Sequence, residues 1–237
     1  DELEDPWRTR VHDEMRRRAA DAQGFVAASR YYAAQMTEAL GVDPGRMHVV
    51  PLGLPLADVV PRDASPPGLP FTVGYLARIC PEKGLHLLLE AFRELHAEAP
   101  GEVRLRIAGY VGPRDRGYWQ EQQERAREWS LTDAVDFIGE VDRAGKLAFL
   151  RSLDVLSVPS PYREPKGRYV LEALAHAVPV VLPAHGAFPE ILEATGGGLL
   201  VEPGSVPALT AGLQDLHSDP ERARRLGAAG RQAILDR

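Results

Sequence analysis

Residues 153–190 read LDVLSVPSPYREPKGRYVLEALAHAVPVVLPAHGAFPE, and their pattern decides the fold. Two short apolar runs, 154–159 and 179–183, have the Val and Leu content of strands buried on both faces, as in parallel sheets. Between them Val170, Leu171, Leu174 and Ala175 recur at the spacing of an apolar stripe, which predicts a helix over 167–177. Strand, helix and strand in this order form a parallel crossover unit. The loop 161–166 leaves the C-terminal end of the first strand, the edge at which open parallel sheets bind ligands. Glu164 lies in that loop and Glu172 about one turn into the helix. One carboxylate is therefore expected at the mouth of a crevice and the other on its helical wall.

The same alternation extends outward. Strand patterns occur at 71–76, 103–108, 135–139, 155–159, 180–183 and 198–201. Helical patterns fall near 85–99, 118–129, 144–150, 167–177 and 189–194, and two more follow at 206–216 and 220–236. Six strands joined by helical crossovers predict an α/β domain with a doubly wound, mostly parallel, six-stranded Rossmann-like sheet. Upstream stand a charged helix over 1–22, a strand at 25–29, a helix at 31–40 and a strand at 47–52. Pro51, Gly53, Pro55, Pro61, Pro66, Pro67 and Pro70 then interrupt all periodicity, which reads as a linker. The organisation expected is a partial unit over 1–46, a linker over 47–70 and a complete domain over 71–237.

Composition narrows the partners. A length of 237 residues suits one domain plus part of a second. A net charge of -6, with Arg16, Arg17 and Arg18 read as a solvated helix face, argues against a nucleic-acid backbone. The single cysteine, Cys80, excludes an intrachain disulfide and fits a reducing, cytoplasmic setting. No run approaches the ~18 apolar residues of a membrane span, and no signal peptide is visible, so a soluble protein is expected. Lysine is scarce, three against twenty-five arginines, a bias of GC-rich genomes.

Candidate chemistry begins in 74–84, GYLARICPEKG. Arg78 and Lys83 share a strand-to-helix loop, where open backbone amides and the positive helix end favour a phosphate or diphosphate. Alone, the pair fits a solvated surface equally well. Neither the Walker spacing nor GxGxxG is present. Carboxylates at Glu164 and Glu172 would accept from sugar or ribose hydroxyls while repelling phosphate toward the cations. A nucleotide sugar meets both demands. No Asp-x-Asp, HExxH or paired-cysteine spacing occurs, so no metal and no cofactor beyond the donor are expected. His176 and His185 read as packing residues, Ser160 lacks the GxSxG elbow, and nothing activates Cys80.

In order, the segments GYLARICPEKG, FIGEVDRAGKLAFLRSLDVLSVPS, EPKGRYVLE and PAHGAFPEIL resemble the C-terminal half of family 4 retaining glycosyltransferases of the GT-B fold, over roughly 47–237. The resemblance implies that Arg78 and Lys83 bind the donor diphosphate and steady the leaving nucleotide. It places Glu164 beside the donor sugar, with Lys166 and Gly167 offering backbone contacts to sugar hydroxyls, and Glu172 on the ribose. Gly139, Glu140 and Val141 would border the nucleobase, and Arg168 and Tyr75 complete the donor-contacting set. The nucleophile would be an acceptor hydroxyl whose proton goes to the donor's own phosphate, without a metal or a side-chain base. Residues 1–46 would be a remnant of the N-terminal domain. Acceptor recognition, and any peripheral membrane association, would belong to the missing part of that domain or to a subunit supplying it. A nucleotide-sugar binding domain without transferase activity, and a GT-B-like sugar-nucleotide epimerase, remain alternatives. Three departures stand out: Pro165 after Glu164 has no N–H, Ala187 replaces a frequent second glycine, and the N-terminal domain is largely absent.

Overall fold

The computed structural model describes residues 5–62 and 70–236. The chain divides into two compact units, Asp1–Gly53 and Leu54–Arg237. In the first, helix α1 (Trp7–Ala19) precedes strand β1 (Phe25–Ala27), helix α2 (Arg30–Leu40) and strand β2 (Met47–Val49). Strands β1 and β2 pair in parallel, and the Val50 amide extends the pairing by donating to the Ala27 carbonyl at 2.9 Å. Residues 47–49 thus form the strand expected within 47–52, and the unit boundary falls at 53. Of the linker expected over 47–70, residues 63–69 lie outside the described residues. Helix α2 starts where Ser29 Oγ accepts from the Tyr32 amide and stops at Gly41 with φ +64°.

The second unit contains β3 (Phe71–Leu76), α3 (Leu85–Glu98), β4 (Val103–Ala108), α4 (Arg116–Glu128) and β5 (Val135–Gly139). The chain then runs through α5 (Arg143–Arg151), β6 (Val155–Ser157), α6 (Arg168–Ala175), β7 (Val180–Pro183), α7 (Phe188–Thr195) and β8 (Gly198–Val201). Helices α8 (Val206–Ser218) and α9 (Pro220–Leu235) close it. The six strands form one sheet in the order β5-β4-β3-β6-β7-β8, and every described pairing is parallel. Strand β6 ends two residues earlier than its apolar run. Ser160 turns its amide back onto the Val158 carbonyl, and Pro159 has no amide to give a ladder.

Alternation along the strands builds two core layers. Val73, Tyr75, Val155 and Val181 pack on one side with residues of α3 and α8. Leu76, Leu156, Val180 and Leu182 pack on the other with Phe149 of α5, Leu174 of α6 and Phe188 of α7. Gly74 makes one packing step possible, since a Cβ there would lie 2.2 Å from Leu153 Cδ1. The opposite, N-terminal edge of the sheet is tied by a buried ion pair. Arg62 reaches Asp154 Oδ1 at 2.5 Å and the Leu153 carbonyl at 2.6 Å, while Asp154 Oδ2 accepts from the Thr72 amide at 2.8 Å.

The chain runs outward from β3 through β4 to β5, then returns to the other side of β3 as β6. The strand order therefore reverses between β3 and β6, and in open α/β sheets the ligand crevice lies at such a reversal.

Candidate functional site

The loops after β3 and after β6 flank that reversal, and they are bound to each other at several points. Gly84, in the left-handed region at φ +73°, lies against the Pro159 carbonyl so closely that a Cβ would stand 2.2 Å from its oxygen. Ser160 Oγ lies 2.7 Å from the Glu82 carbonyl and 2.8 Å from that of Tyr162, so its one proton serves either. Lys83 Nζ donates to Glu164 Oε2. The cation loop and the acidic loop thus converge on one spot.

Glu164 is not at an open mouth. It is buried, and its backbone is held from behind by the loop that follows β7: the Ala187 amide donates to the Glu164 carbonyl at 2.8 Å. Gly186, at φ +62°, approaches so near that a Cβ would meet the Glu164 oxygen at 2.7 Å. Ala187 itself has φ -83°, an ordinary right-handed conformation. Its departure from a glycine pair therefore costs the loop nothing, because the positive φ falls on Gly186.

Glu172 sits on α6 with its side chain 14% exposed. Lys146 Nζ of α5 donates to its Oε1 at 2.8 Å and Arg168 Nε at 3.1 Å. Neither carboxylate of the pair is thus a bare negative charge; each is matched by a cation from its surroundings. Arg168 is engaged on Glu172 while its side chain remains 60% exposed. Lys166 is exposed, and Gly167 adopts φ +60° immediately before α6, its carbonyl accepting from the Val170 amide at 2.9 Å and the Leu171 amide at 3.3 Å. At the end of β5, Gly139 has φ +79°, Glu140 is exposed and Val141 is half-buried. Asp142 caps α5 by accepting from the Gly145 amide at 2.7 Å, and Lys146 follows one turn on. The turn 139–141 and the partner of Glu172 thus belong to one continuous piece.

Two expectations fail. Tyr75 is not a donor contact, because alternation along β3 turns it into the core, where it is fully buried. Its hydroxyl donates to the Arg78 carbonyl at 3.1 Å, so it steadies the cation loop from beneath. Nor does that loop offer a row of open amides. The Lys83 and Gly84 amides close the short 3-10 turn Pro81–Lys83, and the His86 amide donates to the Tyr118 hydroxyl at 3.0 Å. Positive charge at this edge comes from side chains. Arg78 is about half exposed, its Nη2 3.9 Å from Glu82 Oε2 and its Nε 3.2 Å from Cys80 Sγ.

Sequence reasoning also missed Lys146, Ser160 as a staple, Tyr169 and Gly186. Composition held a signal for the first: all three lysines of the chain, Lys83, Lys146 and Lys166, fall at this edge. Cys80 remains a poor nucleophile because burial pushes its thiol above the ordinary range. Among the described residues no group of three or more His, Cys, Asp or Glu side chains is placed to hold a metal ion. No helix among them is long and apolar enough to cross a membrane.

Comparison with known proteins adds three findings. The family pattern described as glycosyl transferases group 1 matches residues 61–233. The chain is 34% identical over 214 residues to a phosphatidyl-myo-inositol mannosyltransferase of Mycobacterium leprae, covering 89% of this chain and 54% of that protein. It is 30% identical over 237 residues to a GDP-mannose-dependent alpha-(1-6)-phosphatidylinositol monomannoside mannosyltransferase of Mycolicibacterium smegmatis, covering 94% and 60%. The chain thus spans between half and two thirds of the length of these relatives. Among solved structures, Anabaena Alr3699/HepE in complex with UDP and glucose superposes with a TM-score of 0.80 at 22% identity, over 91% of this chain and 59% of that one.

Proposed function

Because the chain belongs to the glycosyl transferases group 1 family, we propose that it binds a nucleoside-diphosphate sugar across the β3–β6 reversal and serves transfer of that sugar to a hydroxyl acceptor. The observation that carries this reading is the meeting of Lys83 with Glu164, a cation and a carboxylate from the two loops that flank the switch point. Arg78 and Lys83 hold the diphosphate, Arg through its planar fork and Lys as a mobile point charge. Glu164 and the backbone at Lys166 and Gly167 face the sugar, Glu172 accepts from ribose hydroxyls, and the 139–141 turn borders the base. The donor named in the Mycolicibacterium relative, GDP-mannose, is of this chemical class.

In the transfer the bond between the sugar's anomeric carbon and the phosphate oxygen breaks, and a bond to the acceptor oxygen forms on the same face. The acceptor proton passes to the departing phosphate. Charge growing on that phosphate is met by Arg78 and Lys83, groups already in place before the reaction. No step requires a metal ion or a side-chain base.

Calorimetric titration of the chain with UDP, GDP and ADP tests the reading. At least one is expected to bind, and Glu172→Ala to weaken that binding by about 1.5–3 kcal/mol, the scale of hydrogen bonds to a charged group. Undiminished affinity in that variant refutes the ribose assignment.

A further inference from the structure

Beneath Lys83 lies a polar atom that neither the core nor the donor contacts account for. Tyr169, the second residue of α6, packs its ring edge-on against Phe188, with centroids 6.4 Å apart at 61°. Its hydroxyl is buried and has no hydrogen-bond partner among the described residues. Buried polar atoms in native proteins are nearly always paired, so an orphan of this kind calls for an explanation.

Its surroundings supply one. The Lys83 ammonium stands 5.8 Å from the centre of the Tyr169 ring while it donates to Glu164. Tyr169, Lys83 and Glu164 therefore form one cluster. Burial first, and the negative charge of Glu164 second, hold the Tyr169 phenol well above its ordinary range. The group keeps its proton at any working pH and can only be useful to Glu164 as a donor.

Lys83 has two claims on it. In the structure it serves Glu164; with a donor bound it must also serve the diphosphate. Glu164 is only 7% exposed, and a buried carboxylate that loses its partner is strongly destabilising. We propose that when Lys83 turns toward the donor diphosphate, the Tyr169 hydroxyl takes its place and donates to the Glu164 carboxylate. Glu164 then stays held in position beside the sugar. This role rests on the donor site described above. Tyr169 is a positioning residue that acts through Glu164, and Tyr169→Phe leaves its ring packing intact.

Two double-mutant cycles test it. Without ligand, Tyr169→Phe alone should leave the unfolding midpoint within about 1 °C or raise it slightly, because it removes an orphan hydroxyl. In a Lys83→Met background the same change should lower the midpoint by about 3–6 °C, since the hydroxyl there is the donor left to Glu164. With ligand, Tyr169→Phe should weaken the nucleoside diphosphate that binds wild type by about tenfold, and by less than about threefold in a Glu164→Gln background. The second cycle contains no Lys83 variant, so it stands if Lys83→Met fails to fold. Equal effects of Tyr169→Phe across both cycles would mark a packing role and overturn the assignment. A wild-type chain that binds none of UDP, GDP and ADP overturns the donor site instead.

Discussion

Replacing Gly84 by alanine should separate the two loops on which the site depends, and the structure allows its cost to be divided. Gly84 has φ +73°, a conformation that costs a non-glycine residue about 1–2 kcal/mol. Gly204 has φ +74° with nothing within 4 Å of a Cβ, so Gly204→Ala in the same unit measures that backbone term alone. At Gly84 a Cβ would also stand 2.2 Å from the Pro159 oxygen, 2.8 Å from its carbonyl carbon and 3.0 Å from Pro161 Cδ. The first approach is more than about 1 Å short of van der Waals contact, and the obstructing atoms are backbone. Such overpacking adds about 1–3 kcal/mol. In a domain of this size each kcal/mol shifts the unfolding midpoint by about 2–4 °C, so Gly84→Ala should melt about 2–12 °C below Gly204→Ala. The strain is relieved by moving Pro159 away from Gly84, which carries Glu164 away from Lys83. Nucleotide affinity should therefore fall in Gly84→Ala and hold in Gly204→Ala. Scanning calorimetry and nucleotide titration on both variants provide the comparison. Equal melting temperatures would show that the two loops are not in contact as described.

Two further outcomes are expected. Ala187→Gly should lower stability by about 1 kcal/mol and leave nucleotide affinity unchanged, since φ -83° asks nothing of glycine; a gain in affinity would show that the loop needs the freedom. Stability should also fall as pH drops below the ordinary histidine value of 6.5. Burial, the first cause in each case, lowers His86, His176 and His185 in the fold, so the unfolded chain takes up more protons in that window. Above 6.5 the contribution is fully present, and below it each histidine removes up to about 1.4 kcal/mol per pH unit until its folded value is reached. His176 Nδ1 donates to the Glu172 carbonyl at 2.8 Å, a bond that an asparagine amide can imitate. His176→Asn should thus flatten the dependence of the urea midpoint between pH 7.5 and 5.5. An unchanged slope in that variant removes His176 from the account.

The strands of the second unit were legible because each is a short apolar run bounded by turn residues; β3, β4, β5, β7 and β8 have the limits that those runs imply. Strand β6 was overread, since Val158 and Pro159 are apolar for packing rather than for pairing. The strand read over 47–52 is present but shorter, since β2 pairs with β1 over three residues before Pro51 and Gly53 break the pattern.

Within the site, residue type was legible and pairing was not. Arg78, Lys83 and Glu164 could be placed on their loops and Glu172 on its helix from spacing alone, but spacing treats each carboxylate as a free charge looking for a ligand. In the folded chain Glu164 already holds Lys83, and Glu172 holds Lys146 and Arg168. Part-buried carboxylates without counter-charges would destabilise the fold, and neighbouring elements supply cations to them. On the proposed donor reading, binding would exchange partners instead of filling bare charges: phosphate oxygens would compete with Glu164 for Lys83, and ribose hydroxyls would join Lys146 and Arg168 around Glu172. The apolar stripe Val170, Leu171, Leu174 and Ala175 leaves Tyr169 out, so periodicity gives no reason to single it out. Only the fold shows its hydroxyl buried without a partner, on a ring that stands 5.8 Å from the Lys83 ammonium.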